Sequence, residues 1–244
     1  PTWPVADSET NTGSGNLDIS TITGTAVHFA FRYTSPGTGS NSTEGWRIDN
    51  ISIGGTLSVT DDQTIASDIN LDVDISSTGS LTLNSNSDIN GDVTIADGGE
   101  LTLNGSGTIS GSVTISNGGS LIATDGSVTG NITYNRNIPT TNWYLVSSPV
   151  AGQTIVDFYT NESPAMGSGT GNDQNVAIAP YDNSQSDPND RWDYYTEGEV
   201  DGVGSDDTTD TFTPGIGYIV KIQASGDIAF TGIMAVTDFT TLSL

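Results

Sequence analysis

From Ser87 to Tyr134 the chain reads SDINGDVTIADGGELTLNGSGTISGSVTISNGGSLIATDGSVTGNITY, and one phrase recurs in it about every twenty residues. A Gly-x-Leu step, a lone Ile or Val and a Val-Thr-Ile step follow one another in the same order each time. A repeat of this length marks a stacked architecture, in which a unit too small to bury its apolar face alone buries it against the next. In register, Leu81 and Leu83 match Leu101 and Leu103, then Leu121 and Ala123; Ile89 matches Ile109 and Val128. Val73 and Ile75 match Val93 and Ile95, then Val113 and Ile115, then Ile132 and Tyr134. Upstream, GTLSVTDDQTIASD (Gly55–Asp68) aligns with GSLTLNSNSDINGD (Gly79–Asp92), with a few extra residues before the next coil. About four coils therefore run from Gly55 to Tyr134.

Within each coil apolar residues alternate with Thr, Ser, Asp or Asn, the two-residue period of a strand with one wet face. Gly-Gly, Asn-Gly and Asp-Gly supply corners. The pattern predicts a short right-handed parallel β-solenoid, with like residues of successive coils about 4.8 Å apart. Its inward columns are Leu, Ile and Val, and Asp74, Thr94, Thr114 and Thr133 form an outward one. Asp72 and Asp92 occupy equivalent positions, so their carboxylates are expected to repel unless screened or bridged by a cation. A series of hairpins in an ordinary sandwich is the alternative, and it predicts antiparallel pairing instead of ladders.

Thirty acidic residues face five basic ones, a formal charge of −25 over 244 residues. Phosphate binding needs clustered Lys and Arg, so this balance argues against nucleic acid and anionic membrane as partners. It suits divalent cations and solubility. The opening PTWPVADSE has no basic stretch followed by an apolar run, and no segment approaches the roughly 20 apolar residues of a membrane helix. Cysteine is absent.

The texture changes on either side of the repeats. AVHFAFRYTS (Ala26–Ser35) and GWRIDNISIGG (Gly45–Gly55) read as two alternating strands, and NWYLVSSPV (Asn142–Val150) opens a further β region. Trp143 and Tyr144 read there as core. A polar loop follows near Glu162–Asn175, and no segment reads as a helix, because β-branched and Gly-rich sequence disfavours one. The fold expected is all-β in three parts: a partial jelly-roll over residues 1–54, the solenoid over 55–137 and a β-sandwich-like domain over 138–244.

The flanking phrases carry a resemblance. SGNLDISTITGTAVHFAFRYTSPGTGSNSTEGWRIDNISIGG resembles the C-terminal half of the choice-of-anchor J, or cleaved adhesin, jelly-roll of secreted Bacteroidota proteins. GSVTGNITYNRNIPTTNWYLVSSPVAGQTIVDF, FTPGIGYIVKI and GDIAFTG are similar to the region that follows in many large surface or secreted proteins of that phylum. The resemblance implies type IX secretion, an extracellular or cell-surface location, and a segment of a longer polypeptide. It also nominates Asp49, in the W-x-I-D phrase, for a structural Ca²⁺, with Asp18 as a weaker candidate. The partners expected are other copies of the chain, or the rest of a longer polypeptide, covering strands at its ends.

Function divides into three readings. For catalysis, no Lys, Arg or His lies between Arg47 and Arg136, and the one histidine, His28, alternates with the apolar face of Val27, Phe29 and Phe31. A serine nucleophile needs a histidine partner and an acid pair needs a perturbed carboxylate in a cleft, so no catalytic set emerges. For metal, Ca²⁺ takes six to eight hard oxygens. Asp182, Asp187 and Asp190 in YDNSQSDPNDRWD, together with Asp201, Asp206, Asp207 and Asp210, are candidate ligands or simply solvated turns. Neither loop has EF-hand spacing. For glycans, sugar rings stack on flat exposed rings, which nominates Trp192, Tyr194 and Tyr195 in RWDYY, and Trp46. The principal reading is a non-enzymatic structural or adhesive module of a surface adhesin or extracellular filament. The alternative is a carbohydrate-binding module of a secreted polysaccharide-processing protein.

Overall fold

Alternation of apolar and polar residues builds three parallel walls from the repeat. A computed structural model describes residues 55–84, 86–167, 174–203 and 207–235. The jelly-roll read over residues 1–54, with Asp18, His28, Trp46 and Asp49, lies outside the described residues, as do Asp206 and residues 236–244. One wall stacks β1 (Thr56–Val59), β3 (Asp72–Ile75), β5 (Val93–Ile95), β8 (Val113–Ile115) and the start of β11 (Ile132–Ile138). A second stacks β2 (Asp62–Ile65), β4 (Ser80–Leu83), β6 (Glu100–Leu103) and β9 (Ser120–Ala123). The third is β7 (Thr108–Ile109) on β10 (Ser127–Val128), prolonged by single bridges from Ile69 to Ile89 and from Ile89 to Ile109. Every coil-to-coil pairing is parallel, which excludes the hairpin alternative for this region.

The inward columns are those read from the repeat. Ile89, Val93, Ile95, Leu101 and Leu103 of one coil are all buried, whereas Asp74, Thr94 and Thr114 point to solvent. Five such side chains contribute about 1.5–3 kcal/mol each when fully buried. Ordering one residue's backbone costs about 1–2 kcal/mol, so a lone twenty-residue coil does not hold itself. Stacking is obligatory. Coils approach closely at their corners, where a Cβ placed on Gly91, Gly111 or Gly130 would collide with the backbone oxygen of Leu71, Gly91 or Gly111, respectively. Only glycine fits there.

The first coil departs from the expected alignment. Leu57 and Val59 stand beside Val73 and Ile75, not beneath the leucine column, and Gln63 and Ile65 take that column's places beside Leu81 and Leu83. The reason lies in the corners. Thr60 and Asp61 alone link β1 to β2, whereas Ser76–Gly79 link β3 to β4.

Beyond coil four the chain leaves the stack. β11 pairs with β16 (Gly226–Met234) from Ile132↔Gly232 to Ile138↔Gly226, antiparallel, and β13 (Val150–Ala151) closes that edge. A smaller antiparallel sheet orders β12 (Tyr144–Val146), β15 (Tyr218–Val220) and β14 (Ile178–Pro180). Phe158, Phe212, Phe230 and Tyr218 pack between these parts, with ring centroids 4.7–5.5 Å apart. Contrary to the sequence reading, this region holds helices. α1 (Ile155–Glu162) starts at Thr154, whose hydroxyl accepts from the Asp157 amide at 3.0 Å, and buries Ile155 and Phe158 three residues apart. α2 (Glu197–Val200) is one turn, opened by Thr196, whose amide and hydroxyl both donate to Glu199 at 2.8 Å. Cap and tertiary burial outweigh the poor propensity of Ile155, Val156 and Thr160.

Candidate functional site

The register of the smaller sheet assembles a groove from three distant segments. Tyr144 pairs with Val220, and Ile178 pairs with the same residue from the other side, so Trp143, Lys221 and Ala177 follow as neighbours across one row. Alternation sends Tyr144 and Val146 inward and leaves Trp143 and Leu145 outward, 46% and 68% exposed. The expectation that Trp143 is core is therefore corrected. Four consecutive large side chains in WYLV conceal a period of two, and only half of them find room inside.

The neighbouring Tyr144 is anchored at its hydroxyl. Thr140 caps its turn through a 2.8 Å contact between its hydroxyl and that of Tyr144, while its amide donates to the Tyr144 hydroxyl at 3.2 Å. Lys221 is pinned by its backbone, donating to Ala177 at 3.1 Å and accepting from Ala165 at 2.7 Å. Its Nζ lies 5.9 Å from the centroid of the Trp143 ring, within cation–π range. Tyr194 meets the same tryptophan edge-on at 5.9 Å. With Met166, Gly167 and Asn175 these residues line a groove of about 240 Å³. Lys221 is the only lysine of the chain.

The aromatic trio of RWDYY is divided. Tyr194 reaches the groove, but Trp192 packs on Tyr181, with centroids 4.8 Å apart. Tyr195 donates its hydroxyl to Asp210 at 3.1 Å, and burial, aided by that carboxylate, pushes its pKa well up. One turn of sequence thus serves three environments.

In the acidic loops Asp182, Asp201 and Asp207 spend their carboxylates on local turns. Asp182 accepts from the Ser184 amide at 2.8 Å, the Ser184 hydroxyl at 2.6 Å and Gln185 at 2.8 Å, and these donors hold its carboxyl below the usual range. Asp190 lies in a 3₁₀ turn at Pro188–Asp190 and donates its amide to the Asp187 carbonyl at 3.1 Å. Asp201 and Asp207 accept from the amides of Val203 and Gly202. Among the described residues no three acidic or histidine side chains converge as a metal site.

In the Asp72–Asp92 column the carboxylates meet backbone donors. Asp72 accepts from the Asp92 amide at 2.9 Å, and Asp92 from the Ser112 amide at 2.8 Å. Asp88 takes both the amide and the hydroxyl of Thr108 at 2.7 Å, and Asn90 donates to Asn70 at 2.7 Å. The next coil's backbone donates to the carboxylates of Asp72 and Asp92, and such charge-assisted bonds offset part of their repulsion. The twenty-residue spacing of Asp68 and Asp88, and of Asp72 and Asp92, is the sequence signal of this acceptor role.

Compared with protein-family models, with curated proteins and with solved structures, the chain matches none.

Proposed function

We propose that this chain is a non-enzymatic structural and adhesive module of a secreted surface protein, a segment of an adhesin or extracellular filament, in which the coils form a stiff spacer beside a binding region. The observation that carries this reading is the use of the coil surface. Asp68, Asp72, Asp88, Asp92, Asn70, Asn84 and Asn86 all accept hydrogen bonds from the residue one coil onward. Groups consumed in holding coil to coil stiffen a stack; they are not presented to a substrate. The extracellular location and the type IX route rest on the phrases that resemble cleaved-adhesin proteins. The alternative, a carbohydrate-binding module, is favoured by one observation, the outward Trp143 beside Tyr194.

Adhesion under flow tests the proposal. Beads coated with the chain should be retained on polysaccharide- or cell-coated glass, beads coated with heat-denatured chain should wash off, and soluble polysaccharide should keep its length. Equal retention of the two coatings removes the adhesive role. New reducing ends or unsaturated products in the polysaccharide would replace the reading with an enzymatic one.

A further inference from the structure

We propose that the groove between Trp143, Tyr194 and Lys221 takes one acidic sugar residue of an anionic polysaccharide, its C–H face on the Trp143 ring and its acid group on the Lys221 ammonium. The proposal deepens the adhesive reading above by naming a ligand class.

Three features of the groove lead to it. First, Trp143 stands outward and 46% exposed, its ring met edge-on by Tyr194 and approached by the Lys221 ammonium. An exposed ring is a stacking platform, because the axial C–H bonds of a pyranose present a weakly positive face to the negative face of the indole. Second, the volume of about 240 Å³ lies below the roughly 300–1,000 Å³ of sites that engulf a drug-sized ligand. A single ring fits, with the rest of a polymer running out through the open side. Third, Lys221 has no carboxylate partner among the described residues although the chain carries 30 acidic groups. Its ammonium lies 5.9 Å from the Trp143 ring centroid, so a cation stands beside the platform where an acid group can pair with it. The side-chain amide of Asn175, also lining the groove, makes no hydrogen bond among the described residues and offers a donor and an acceptor to sugar hydroxyls.

The charge of the chain makes the proposal distinctive. At −25 the molecule repels a polyanion at long range, and attraction begins only at contact with Lys221. Salt screens the long-range part first, with a Debye length of about 30 Å at 0.01 M and about 10 Å at 0.1 M. Binding should therefore strengthen between those two ionic strengths, opposite to ordinary adsorption of polyanions on basic surfaces.

The experiment is affinity electrophoresis and calorimetry of the full chain with polygalacturonate, a sulphated galactan and neutral galactan. Retardation by polygalacturonate alone assigns a carboxylate, retardation by the sulphated polymer alone assigns a sulphate ester, and retardation by both assigns the shared charge. Trp143→Ala should abolish binding. Lys221→Met should lower affinity for the acidic polymer about tenfold or more, with melting temperature and binding of the neutral polymer unchanged. No retardation by either acidic polymer, equal retardation by the neutral one, or a Lys221→Met variant that binds as tightly as the parent overturns the proposal. Beads carrying Lys221→Met that still adhere under flow would leave the adhesive reading standing while this one fails.

Discussion

The four coils and the region after them solve the same problem by opposite means. In the coils each inward side chain has its counterpart one repeat away, as with Leu81, Leu101 and Leu121, so a single environment is copied. After Ile138 nothing is copied. Phe158 comes from a helix, Phe212 from a loop and Phe230 from a long strand, and they meet once. The difference teaches where specificity resides: in the coils it belongs to the column, and in the later region to individual long-range contacts. A fault in one coil disturbs its two neighbours, whereas a fault in the aromatic centre disturbs every element that converges there.

The largest test of that contrast is charge inside a column. Ile95→Asp places an unpaired carboxylate where the parent side chain is fully buried, at a cost of several kcal/mol. Thr94→Asp, one residue away and facing solvent, should be mild. Equal melting temperatures for the two variants would break the assigned register.

Next in size is Phe212→Ala, expected to cost about 3–5 kcal/mol. Native-state hydrogen exchange should then show Tyr218–Val220 and Ile178–Pro180 losing protection while Val93–Ile95 retain theirs. Uniform loss across both regions would mean that they open as one cooperative unit and that the contrast is structural only.

The smallest effect is in pH, and its sign differs between the regions. Thr108 donors hold the Asp88 carboxyl below its ordinary value, so its stabilisation is present above the unfolded value near 4 and lost as pH falls through the lower folded one. Glu162, at the end of α1, is pushed the other way by burial, although a backbone hydrogen bond from Ala229 works against it. Its effect is therefore favourable below the ordinary carboxyl value and is lost as pH rises through the raised folded one. Thermal melts across the acid range should show Asp88→Asn flattening the fall at low pH, and Glu162→Gln raising the melting temperature near neutrality. Reversed signs would refute the assignment of either group.

The coils were legible because a repeated environment leaves a repeated signature. Val93, Val113 and Ile132 announce one another, and their parallel pairing follows. The first coil was misregistered because Leu57 resembles the leucine column, and only the shortened corner at Thr60–Asp61 moves it beside Val73. In the later region the capping signals Thr154-x-x-Asp157 and Thr196-x-x-Glu199 were present, but β-branched composition outweighed them in the reading. The groove was half legible. RWDYY drew attention to Tyr194, while Trp143 and Lys221 lie far apart in sequence and meet only through the pairing of Tyr144 with Val220. No local pattern encodes such a meeting.

The wall that stacks β1, β3, β5, β8 and β11 runs parallel until β16 lies against it in the reverse direction. That reversal acts as an end stop. Another coil cannot be threaded beyond β11 on this wall, but a duplicated twenty-residue unit can be inserted upstream without touching the last pairing. Each insertion would lengthen the stack by about 4.8 Å, so gene duplication can change its length in fixed steps while the groove at Trp143 and Lys221 is left as it is.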